Sequence, residues 1–138
     1  MRHRNINPRH VIERRALQGA VLIAGLVPVS TGLAGMIVGG GMAGGAGTTD
    51  LDSHVRYLSG LLLGIGLLFW GMVPSIERHG PIVRALTFLV VIGGLARLAG
   101  WLFVGTPSTP MIAAVGMELV VTPLLCLWQI RLASPPTT

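Results

Sequence analysis

The chain of 138 residues is 51% hydrophobic and only 11% charged, with a mean hydropathy of +0.73 and a formal net charge of +5. A soluble domain usually carries about 25% charged residues, so too little polar surface is present to cover one, and the same apolar content excludes a disordered chain. Cys126 is the one cysteine, which excludes a disulfide scaffold and leaves a small integral membrane protein.

The charges leave long gaps. Ala16–Thr49 has none over 34 residues, Tyr57–Ile76 none over 20, and Ala85–Ile130 only Arg97 and Glu118. A bilayer core of about 30 Å takes roughly 20 apolar residues per helix. The gaps predict four helices, 17–39, 54–73, 81–104 and 110–131. A basic tail (1–16) precedes them and a short tail (132–138) follows. The fold class is all-α. Short connections make it a four-helix antiparallel transmembrane bundle.

Before the first helix stand Arg2, Arg4, Arg9, Arg14 and Arg15. This basic tail is expected to lie on an anionic lipid surface. The apolar stretch that follows is longer than the 7–15 residues of a signal core, so it reads as a retained helix. Pro28 lies inside it and frees the carbonyl of Ala24. Gly39-Gly40-Gly41-Met42-Ala43-Gly44 fits a G-x-G-x-x-G spacing. It follows a membrane helix, not a strand, and no Lys comes after it. It therefore reads as a Gly-rich connection (39–49), and nucleotide binding is not expected.

For the second helix, Asp52 or Ser53 is the expected cap and Pro74 marks the end. Arg56 stands four residues after Asp52, at salt-bridge spacing. Pro81 opens the third helix, and Thr109-Pro110 reads as the cap and first turn of the fourth. In the fourth, Pro123 frees the carbonyl of Leu119, beside Glu118. Gly35 and Gly39, Gly60 and Gly64, and Ala96 and Gly100 recur at four-residue spacing. Such small pairs allow close helix approach, either within the bundle or against another subunit or a second copy.

Arg97 and Glu118 each lie eight residues, about 12 Å, from the same end of their helices. A lone ion at such depth costs about 2.5–3.5 kcal/mol. The two are therefore expected to face each other, with Trp101 one turn beyond Arg97 covering the guanidinium. Arg56 is the third candidate for this group. Two cations around one carboxylate would suit an anionic headgroup, whereas the plainer reading is a structural ion-pair network.

Arginine placement puts both termini and the middle connection in the cytoplasm. The chain has no Lys and is rich in Gly, Ala and Arg, a composition that favours a bacterial inner membrane. His3, His10, His54, His79 and Cys126 form no metal or catalytic constellation, and no histidine lies mid-helix for haem. Trp70, Trp101 and Trp128 sit towards helix ends, as interface anchors do. No cofactor and no nucleic-acid partner are expected.

The stretch RYLSGLLLGIGL (56–67), then GGLARL (93–98), Gly105, Pro107 and MEL (117–119) resemble a bacterial membrane family known as domain of unknown function 4345. The resemblance covers residues 54–131, and Arg56, Arg97 and Glu118 are its charged landmarks. It implies a four-helix membrane topology and no known activity. The Gly-rich segment 39–49 departs from the family pattern.

Three readings of function follow. The favoured one is a non-enzymatic accessory or structural subunit of a larger membrane complex. The alternative is a binder or carrier of a small amphipathic molecule (a lipid, quinone or organic acid) at Arg97, Glu118 and Arg56. A membrane-embedded enzyme is the weakest, because Glu118 has no nucleophile or second acid beside it.

Overall fold

The computed structural model describes residues 8–43 and 48–134. Arg2, Arg4 and His3 of the basic tail, Gly44 of the glycine motif and residues 135–138 lie outside the described residues. Every regular element among the described residues is helical. These are α1 (Pro8–Val38) with a 3₁₀ segment (Gly39–Ala43), α2 (Thr49–Met72) with a 3₁₀ segment (Val73–Arg78), α3 (Gly80–Val104), α4 (Thr109–Gly116), a π segment (Met117–Val121) and α5 (Thr122–Ala133). α4, the π segment and α5 run on as one span, so four helices are long and apolar enough to cross a membrane. At most 22% of each apolar window is buried. Most of each window is thus left at least partly exposed, as a lipid-facing helix requires.

The ends differ from the sequence reading in ways that local chemistry explains. α1 starts at Pro8, so part of the basic tail is helix. Proline gives up no needed hydrogen bond at a first helical position, and Glu13, Arg14 and Arg15 are good helix formers. α2 starts at Thr49, and its cap is Thr48, not Asp52 or Ser53. The Thr48 side chain accepts the Leu51 amide at 3.3 Å, which leaves Asp50 and Asp52 in the first turn, where acids suit the helix dipole. The N-cap position of the fourth span falls at Ser108, one residue before the expected Thr109 and without a side-chain capping bond, and proline sits in the first turn. His79 stands at the N-cap position of α3 without a side-chain capping bond, and Pro81 sits in the first turn.

The chain divides into two compact units, one of residues 21–73 and one of the segment up to Ala20 together with everything from Pro74 on. In the first, the rest of α1 pairs with α2. Gly25 meets Trp70, Gly32 meets Ser59 and Leu63, Gly35 meets Ser59, and Gly39 meets Asp52 and Arg56. Partner numbers fall as α1 advances, so the pair is antiparallel. In the second unit α3 pairs with the fourth span in the same sense: Gly80 faces Gln129, Gly94 faces Glu118 and Leu119, and Arg97 meets Met111. The core of this unit gathers around Leu17, Ile76 and Gln129, each at most 1% exposed.

Candidate functional site

The buried-charge site begins with a widened turn. In an α-helix the amide of residue 123 would bond to the Leu119 carbonyl, but Pro123 has no amide hydrogen. The helix answers upstream with the π segment Met117–Val121. There the Thr122 amide reaches back five residues to the Met117 carbonyl. The Thr122 hydroxyl donates to the same carbonyl at 2.9 Å. Single π turns of this kind recur at functional sites. Glu118 is the second residue of this one.

Arg97 on α3 forms an ion pair with Glu118, its Nε 3.1 Å from Glu118 Oε1. Its Nη1 lies 3.0 Å from Met111 Sδ, a neighbour with no advance signal, since methionine looks like any other apolar residue of the span. The pair is incompletely covered. The Arg97 side chain is 40% exposed against 17% for Glu118, while Glu118 Oε2 is buried with no hydrogen-bond partner among the described residues. Beside Arg97 runs a groove of about 570 Å³, walled by Trp101, Val104, Pro107, Met111 and Val115. Trp101 thus lines the groove next to the guanidinium. The site offers a fixed cation, a carboxylate that orients it, and an apolar trough with aromatic and thioether walls.

Arg56 has a local role. Its Nε donates to Asp52 Oδ2 at 2.8 Å, and Nη1 donates to the carbonyls of Met36 and Ile37. Asp52 Oδ1 in turn accepts the Gly40 amide at 2.8 Å. A cation on the last carbonyls of α1 is favoured by the helix dipole. Gly39 enters this turn with φ +64°, in the left-handed region that glycine adopts without strain. The first residues of the Gly-rich connection are therefore a cap folded onto Asp52 and Arg56.

The small residues divide sharply. Gly35 lies against Ser59 and Gly39 against Asp52, while a Cβ at Gly60 would find only Met36 Sδ at 3.7 Å. Gly64 and Gly100 have nothing among the described residues within 4 Å of that position. The closest approach of α1 to the backbone of α2 is instead at Gly32, where a Cβ would lie 2.6 Å from the Leu63 amide nitrogen. Gly25, Gly32 and Gly39 share a seven-residue spacing, which marks one helix face; the four-residue pairs did not select it. Ala96 and Gly100 flank Arg97 on α3. Trp70 is also a packing residue, donating from Nε1 to the Leu22 carbonyl at 3.1 Å.

At the arginine-rich end, Arg14 Nη2 donates to the Pro74 carbonyl at 2.7 Å and lies 3.2 Å from Glu77 Oε1. Arg9 and Arg15 stand on the same first turns of α1, both exposed. Two of the histidines hold backbone carbonyls. His10 Nε2 donates to the Leu132 carbonyl at 3.3 Å, and His79 Nδ1 to the Ser75 carbonyl at 2.9 Å. Cys126 is buried. Gln129, buried beside it and donating to the Ile76 carbonyl at 3.0 Å, escaped the sequence reading because a glutamine near a helix end looks like an interfacial residue.

The model of one family, described as a domain of unknown function (DUF4345), matches residues 16–129. No curated protein and no solved structure matches the chain. The family match takes in α1 as well as the later helices, so it reaches beyond the 54–131 stretch that carries the sequence resemblance. Arg56, Arg97 and Glu118 all lie within it, and the chain belongs to the DUF4345 family.

Proposed function

We propose that this protein is a small non-enzymatic protein of a bacterial inner membrane, with both termini in the cytoplasm, that holds an amphipathic molecule at Arg97 and Glu118. The observation that carries the reading is the partly open guanidinium. Deep in an apolar span, an arginine left 40% exposed retains N–H groups that lipid tails cannot satisfy. A ligand with an oxygen acceptor at its head and an apolar body would fill those donors and the adjoining groove. A lipid, a quinone or an organic acid has that form. Glu118 then orients the cation, and neither it nor the groove walls supply a nucleophile.

The test is native mass spectrometry of protein purified from its own membranes in mild detergent. A reproducible small-molecule adduct, lost in Glu118→Gln while the protein still inserts, is the expected result. A bare protein in both forms would sink the reading.

A second reading is favoured by a different observation. Gly64 and Gly71 on α2, and Gly93 and Gly100 on α3, have nothing among the described residues within 4 Å of a Cβ position. Each pair is seven residues apart, which leaves small-residue strips suited to another helix. In this reading the protein is an accessory subunit of a larger membrane complex. A stoichiometric partner protein in the same mass spectrum would select it.

A further inference from the structure

We propose that the arginine-rich end of α1 forms a binding pocket for the phosphate headgroup of one anionic phospholipid, apart from the Arg97–Glu118 groove and independent of its role. His10, Val11, Arg14, Arg15 and Gln18 of α1, with Glu77, line a cavity of about 340 Å³. Val11, Arg14, Arg15 and Gln18 follow the i, i+3, i+4, i+7 spacing of one helical face.

The cavity is built rather than a loose patch. Arg14 is held by the Pro74 carbonyl and by Glu77. Gln18 Nε2 lies 3.4 Å from the same Pro74 carbonyl. His10 is tied to the Leu132 carbonyl. These bonds join the first turns of α1 to segments about 60 and 120 residues away, so the wall keeps its shape.

The charge selects an anion. Two guanidiniums and one carboxylate line the cavity, which leaves a net positive charge. Glu77 answers Arg14, while Arg15 is exposed and has no acidic partner within 4 Å among the described residues. A guanidinium fork matches the oxygens of a phosphate group. The pocket also stands where charge on α1 ends: Arg15 is its last charged residue, and Ala16–Thr49 has none. That boundary falls at the headgroup level of a bilayer, where basic pockets take anionic lipids. The position favours a lipid phosphate over a free one.

The test compares wild-type protein with Arg15→Gln and Arg131→Gln in nanodiscs of mixed phosphatidylglycerol and phosphatidylcholine. Arg131 is exposed, lies outside the cavity and removes the same charge. Lipid retained after detergent release is counted by native mass spectrometry, and thermal unfolding checks that each variant is folded. One phosphatidylglycerol is expected on wild-type and Arg131→Gln protein, with retention roughly fivefold lower or worse in Arg15→Gln. Equal losses in both variants would mean diffuse surface attraction and would overturn the pocket. Equal retention of phosphatidylcholine would overturn the headgroup selectivity. Replacement of the lipid by millimolar inorganic phosphate in detergent, mole for mole and dependent on Arg15, would reassign the pocket to a free oxyanion.

Discussion

Gly94 of α3 lies so close to Glu118 that a Cβ at position 94 would stand 2.9 Å from the Glu118 Cβ and 2.8 Å from Leu119 Cδ2. The absence of a side chain at 94 is what lets the π segment sit against α3 and brings the Glu118 carboxylate to Arg97.

Gly94→Ala should therefore cost roughly 1–3 kcal/mol, because close-packed helices yield little to an added methyl. Its thermal midpoint in detergent should fall below that of Gly93→Ala, where the new Cβ finds nothing within 4 Å. Equal midpoints for the two variants would show that the π segment moves aside freely.

The ion pair predicts an asymmetry between single and double replacements. Glu118→Leu leaves Arg97 alone in the span, at a cost of roughly 2.5–3.5 kcal/mol. Adding Arg97→Met removes the stranded charge, and most of the loss should return. Folded yield in membranes and the unfolding midpoint measure both steps. A double variant no more stable than the single one would mean that the arginine was never dependent on its partner.

Gln129 makes one hydrogen bond to the Ile76 carbonyl while its Oε1 is buried without a partner among the described residues. Gln129→Met loses the bond and also removes the orphaned oxygen. The two effects oppose each other, so the change in stability should stay within about 1 kcal/mol. Gln129→Glu places a charge at a site 1% exposed and should abolish folded protein, as size exclusion of the solubilised membranes would show. A stable Gln129→Glu variant would contradict the burial described.

Gly39 has φ +64° and is enclosed by Asp52 and Arg56. Gly39→Ala should cost about 1–2 kcal/mol from the left-handed backbone alone, with crowding added to it. Gly41→Ala, whose Cβ would make an ordinary 3.4 Å contact with Val38, should leave the thermal midpoint in place.

The parts legible in the sequence were those set by the cost of charge in lipid. Arg97 and Glu118 interrupt a long apolar stretch at equal depth, and in the structure they touch. Asp52 and Arg56 at four-residue spacing form their own pair. Other features depend on geometry that residue type does not disclose. Pro123 signals a lost hydrogen bond, yet nothing in its neighbours says that the repair is a π turn rather than a kink. Gly32 and Gly35 look equivalent on a helix, but only Gly32 meets the backbone of α2. Arg14 reads as one of five basic residues facing lipid, and its bonds to Pro74 and Glu77 appear only once segments 60 residues apart are placed together.

The turn between α1 and α2 has a practical consequence. The last carbonyls of α1 are sealed by Arg56, the Gly40 amide by Asp52, and the Leu51 amide in the first turn of α2 by Thr48. The two helix ends thus depend on one small set of groups for these hydrogen bonds. An insertion at Gly39, Gly40, Thr48 or Asp52 would break that set, so an epitope or a fluorescent reporter is best grafted clear of all four positions.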